Sequence, residues 1–114
     1  MRLKHWCWLV LAFWLAFGPG VALAQRFDLP ADLWLASRSG QAIRNNAQIS
    51  KALDSYFQLA QARVRLHHHK RDESSAQAEE LRGWLIALGI EAGRIELVED
   101  SPTDQLTLDI TDSR

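Results

Sequence analysis

Residues 62–97, ARVRLHHHKRDESSAQAEELRGWLIALGIEAGRIEL, carry one complete β-α-β unit with a boundary signal at each junction. Val64 and Leu66 alternate with Arg63 and Arg65, the period-two pattern of a half-buried strand, and His67, His68 and His69 extend it. Ser74 with Gln77 three residues on fits a capping box, in which two side chains satisfy the free N–H groups of a helix start. A helix is predicted from there. Ala78, Leu81, Leu85 and Leu88 recur at spacings of three and four, with Trp84 at the edge of the stripe. Gly89 should end it, since glycine tolerates the left-handed conformation, and Ile90 is placed to pack back on the last turn as in a Schellman motif. Ile95 and Leu97 restart the alternation. The two strands should therefore run parallel, joined by a right-handed crossover.

Two segments of this unit resemble the OmpA-like peptidoglycan-binding domain. ARVRLHHHK is similar to that family's second strand, of the form RVRVEGHTD, and WLIALGIEAGRIEL is similar to the end of its second helix and the strand that follows. The resemblance implies a last strand that sits inside the sheet and a binding loop leading into the second helix. It also implies an Asp and an Arg that grip the charged ends of diaminopimelate, the Asp accepting from an ammonium and the Arg holding a carboxylate. In this chain His69 stands at the family's His, Lys70 at its Thr, Arg71 at its Asp and Gln77 at its Arg. Asp72 is one residue from the Asp position, and the segment before the helix is shortened to Asp72 through Ser75. The candidate ligand-binding residues are His69, Arg71, Asp72, Gln77 and Arg82, all near the loop entering that helix.

Met1 to Ala24 reads as a secretory leader. Arg2 and Lys4 form its positive end, Trp6 to Phe17 is uncharged and apolar, Gly18-Pro19-Gly20 breaks it, and Ala22-Leu23-Ala24 offers a cleavage site before Gln25. The rival is an uncleaved inner-membrane anchor, because Trp6 to Ala24 has no charge and approaches the roughly 20 residues of a membrane span. Cys7, the one cysteine, lies too early for a lipobox and leaves with the leader. Residues 25–114 then form a single domain without disulfides. A chain of that size buries only about 60 to 65% of its unfolded surface and needs one continuous core. Without Arg2 and Lys4 it holds eleven basic against fourteen acidic residues, which argues against nucleic acid as a partner.

Phe27, Leu29, Ala31, Leu33 and Leu35 alternate as a first strand, with Pro30 marking an edge or a bulge. Ser39 can cap a helix from about Gln41 to Leu59 with an inner stripe of Ala42, Ile49, Leu53, Tyr56, Phe57 and Ala60. Asn46 falls on that stripe as a satisfied near-terminal amide. Leu106, Leu108 and Ile110 form a last strand after a turn at Asp100 to Asp104. A simple hairpin and an insertion into the sheet are both open for it.

His67 and His69 share a strand face and could offer two imidazoles to zinc or copper, though a specific site needs further ligands and residues 25–114 hold no Cys. The plainer reading is a solvated strand end. Arg63 and Arg65 should face Glu96 and Asp109 on the side of the sheet away from the helices, as cross-strand pairs. The sharper alternative is an anion held by Lys70 and Arg71 above the second helix. Ile86 and Gly83 interrupt the wet face of that helix. No nucleophile motif, P-loop or H-E-x-x-H pattern is present, and Glu79 and Glu80 face different ways. The expectation is a two-layer α/β sandwich of order β-α-β-α-β-β, with two helices on one face of a four-stranded mixed sheet. The expected function is that of an exported, non-enzymatic, cofactor-free binding module of the bacterial periplasm. It would bind peptidoglycan weakly or dock on an envelope protein. Two alternatives stand beside it: a membrane-tethered subunit of a secretion, pilus or envelope assembly, and a periplasmic metal binder using His67 and His69.

Overall fold

The computed structural model describes residues 24–112. The leader lies outside them except for Ala24, as does Cys7. Four strands, β1 (Gln25–Asp28), β2 (Ala62–His68), β3 (Ile95–Glu99) and β4 (Thr107–Asp112), form one mixed sheet in the order β1-β4-β2-β3. Three helices, α1 (Gly40–Asn45), α2 (Ala47–Gln58) and α3 (Asp72–Ala87), pack on it. This is the expected two-layer architecture. β2 and β3 pair in parallel, Val64 opposite Ile95 and Leu66 opposite Leu97. β4 runs antiparallel to both its neighbours, so the last strand is inserted between β1 and β2.

Strand alternation divides the sheet into two chemistries. Val64, Leu66, Leu108 and Ile110 point to the helices and are almost wholly buried, against Ile43, Ile49, Leu53, Leu81 and Leu85. On the other face the sheet carries Arg26, Arg65, His67, Glu96 and Asp109. Each core aliphatic side chain withdrawn from water contributes about 1.5 to 3 kcal/mol, so this apolar layer sets the sheet register.

Several boundaries differ from the sequence expectation. The first strand stops at Asp28, and Pro30 opens a 3-10 turn at Ala31–Trp34. The Pro30 carbonyl accepts from the Leu33 N–H at 3.2 Å. Leu29 still reaches the core, but Leu35 is 87% exposed. The predicted helix from Gln41 to Leu59 is two helices, because Asn46 is extended and its Oδ1 accepts from the N–H groups of Gln48 and Ile49 at 3.0 and 3.2 Å. The break rotates α1, so Ile43 is buried and Ala42 exposed; Phe57, near the end of α2, and Ala60, beyond it, are exposed as well, against the expected stripe.

α3 starts at Asp72 and not at Ser74. Ser74 is 1% exposed, and its hydroxyl accepts from the His69 N–H at 2.9 Å, so it ties the strand exit to the helix instead of capping it. Asp72 and Glu73 in the first turn suit the positive end of the helix dipole. The far end agrees with expectation. Gly89 has φ 111°, Gly89 N–H reaches Ile86 O at 3.1 Å, and Ile90 N–H reaches Leu85 O at 3.0 Å, the two bonds of a Schellman motif.

Candidate functional site

The carboxyl ends of β2 and β3, the start of α3 and the connection from residue 100 to 106 meet at one end of the sheet. Beside them lies a cleft of about 610 Å³. One wall is Trp34, Leu35 and Arg38 from the segment after β1, another is Ser74, Gln77 and Glu80 from α3, and the rim is Asp104 and Leu106. Open α/β sheets commonly place ligands at such strand ends.

The cleft wall is held by polar bonds. Glu80 accepts from Arg38 and from Trp84 Nε1, the latter at 3.1 Å. Arg38 also donates to Trp34 O at 3.1 Å and lies over the Trp34 ring at 5.3 Å. Burial acts to raise the Glu80 carboxyl, but the bonds from Arg38 and Trp84 outweigh it and hold the group below the usual carboxylate range.

Of the five sequence candidates, two come near one another through a residue that was not among them. Arg71 Nη1 donates to Asp104 Oδ2 at 2.9 Å, and His69 Nδ1 accepts the Arg71 N–H at 3.2 Å and lies 3.9 Å from Asp104 Oδ1. Gln77 is the one candidate that lines the cleft, which Asp104 borders. Asp72 is exposed on the first turn of α3, and neither it nor Arg82 is joined to Asp104 as His69 and Arg71 are. α3 turns by 3.6 residues per cycle, so positions 77 and 82 point to different sides. Arg71 is paired with Asp104 and is not left open for the anion considered with Lys70.

Histidines 67 and 68 are buried, which overturns the reading of a solvated strand end. His68 Nδ1 bonds to His69 O at 2.8 Å on the helix side. His67, on the opposite face, has Nδ1 2.6 Å from Asp100 Oδ1 and Nε2 2.7 Å from Asp109 Oδ2. Both its ring nitrogens are occupied, so it does not converge with His69. Among the described residues no group of three or more His, Cys, Asp or Glu is arranged to hold a metal.

Asp109 also takes a two-pronged grip from Arg26, Nε to Oδ1 at 2.9 Å and Nη2 to Oδ2 at 3.2 Å. The Arg26 bonds hold the Asp109 carboxyl below its ordinary range, against burial, with His67 adding to the effect. The same contact raises the Arg26 guanidinium. Of the expected cross-strand pairs, Arg65 meets Glu96 at 3.3 Å, whereas Asp109 turns to Arg26 and His67 instead. Among the described residues every buried side-chain nitrogen and oxygen has a hydrogen-bond partner. No helix among them is long and apolar enough to cross a membrane.

Comparison with protein-family models, with curated proteins and with solved structures finds no match to this chain.

Proposed function

We propose that the chain is a non-catalytic binding module of the bacterial cell envelope, exported by its N-terminal segment and weakly engaging peptidoglycan at the strand-end cleft. The observation that carries this reading is the cleft beside the start of α3, where the OmpA-like resemblance puts its ligand clasp. Insertion of β4 between β1 and β2 accords with that resemblance. Asp104, which borders the cleft, pairs with Arg71, so a cation donor and a carboxylate stand side by side in solvent. A peptide end bearing both a carboxylate and an ammonium can exchange into such a pair, its carboxylate to Arg71 and its ammonium to Asp104. Because Arg71 and Asp104 must first part, the expected affinity is low.

Co-sedimentation of the purified chain with sacculi tests this. Retention should fall about tenfold or more with Arg71→Ala, the loss of roughly one charge-assisted hydrogen bond of about 1.5 to 3 kcal/mol, and Asp72→Ala should leave it unchanged. No retention of the parent chain removes peptidoglycan as the ligand.

Docking on an envelope protein is the second reading, favoured by Leu35, which stands 87% exposed on the cleft wall beside Trp34. A photocrosslinker at position 35 that captures one envelope protein, lost on Trp34→Ala, supports it. Export has its own measurement. An N-terminus at Gln25 in protein recovered from cells accords with a cleaved leader, and an intact Met1 favours the membrane-tethered alternative.

A further inference from the structure

His67 sits on the outer face of β2 with its ring wedged between two carboxylates, and its side chain is only 10% exposed. An imidazole offers two N–H donors only when it carries its second proton. In the neutral ring one nitrogen is a lone pair, and here it would face a carboxylate oxygen. The two carboxylates are not equivalent. Asp109 has a side chain 12% exposed and is gripped twice by Arg26, whereas the Asp100 side chain is 55% exposed and belongs to the connection between β3 and β4.

The other charged groups on this face are Arg26 and Asp28 from β1, Arg63 and Arg65 from β2 and Glu96 from β3, with His69 and Asp104 beyond the strand end. Arg65 is engaged by Glu96, and Asp28 accepts from Thr107 Oγ1 at 3.2 Å. Asp100 and Asp109 are therefore the carboxylates that contact the ring. When one proton leaves, the one that remains belongs at Nε2, where Arg26 fixes Asp109 in place, and the exposed Asp100 is the partner that can turn away.

We propose that His67 is a proton-dependent clasp, which ties residues 100–106 to the sheet while both ring nitrogens are protonated and releases Asp100 when one proton is lost. Other bonds keep the connection attached: Ser101 N–H to His68 O at 3.0 Å, Arg71 to Asp104, and Gln105 Nε2 to Leu29 O at 3.4 Å. The change is a loosening and not a detachment. The same connection supplies Asp104, Gln105 and Leu106 to the cleft, so the clasp tunes the shape of that wall. Its effect on binding, though not the clasp itself, rests on the function proposed above.

The test is an NMR titration of the intact chain without any ligand, over about pH 5 to 9, the span that brackets histidine chemistry. The His67 ring and the Ser101 and Thr103 amides should share one transition. In Asp100→Asn the ring should still titrate while the amides lose that transition, and His67→Gln should flatten the amides. If His67→Gln does not fold, Asp100→Asn, a change at an exposed side chain, decides alone. A ring that does not titrate over this range overturns the proposal, and so do amides that ignore the ring or that titrate unchanged in Asp100→Asn. Since no ligand is present, failure here is separate from failure of the sacculus experiment.

Discussion

Asp109 joins three strands through two oxygens, accepting from Arg26 of β1 and bonding His67 of β2 from its own place in β4. Asp109→Asn removes the charge both partners are organised around and should cost about 2 kcal/mol, as expected for a largely buried charged hydrogen bond. A lowered urea midpoint with unchanged slope is the measurement. The direction of its titration gives a second outcome. The Asp109 carboxyl is held below its ordinary range, so its stabilisation is present above the unfolded value of about 3.9 and is lost as pH falls through the lower folded value. The parent should lose stability faster than Asp109→Asn on acidification, and parallel curves would count against the assignment. Gly89 gives a prediction of a different kind. At φ 111° an added Cβ is strained, and it would stand 3.3 Å from Phe57 Cζ, so Gly89→Ala should cost about 1 to 2 kcal/mol. Adding Phe57→Ala removes the crowding but not the dihedral. Full recovery of the thermal midpoint in the double variant would show that crowding set the cost.

Elements were legible where a local signal sufficed. The parallel pair of β2 and β3, the stripe of α3 and its glycine stop each depend on residues within one or two turns, and each stands where the spacing puts it. The misread elements had two physical solutions. Leu29 and Leu33 fit strand alternation, but a spacing of four also fits a turn, and Pro30 decides for the turn by fixing its own φ and having no N–H to give a ladder. Asn46 lay on a continuous helical stripe because a one-residue break barely disturbs the spacing on either side. Its side chain caps α2, so Asn46→Ala should cost about 1 kcal/mol and Asn46→Asp much less, checked by thermal unfolding. Ser74 was misread because its hydroxyl serves the N–H of His69, just past β2, a partner that appears only once the chain has turned.

The site was half legible for the same reason carried to the scale of the whole sheet. His69, Arg71 and Gln77 are close in sequence to one another, but Asp104, which meets the first two, comes from 33 residues beyond Arg71, a juxtaposition set by where β4 lies. No local pattern states that. β4, like β2, has neighbours on both sides and an apolar face packed under the helices, so Leu108→Ala should cost about 3 kcal/mol, while Leu97→Ala on edge strand β3, where the side chain is only partly buried, should cost nearer 1.5 kcal/mol. Comparative chemical denaturation of the two variants checks the ordering. The place of β4 bears on how the molecule is made. β1 is the earliest described strand and its hydrogen-bonding neighbour is the latest, so as the chain emerges from a ribosome β1 has no mate until residues 107–112 are out. Closure of the four-stranded sheet therefore waits on its last described strand, whatever β2, α3 and β3 have already formed.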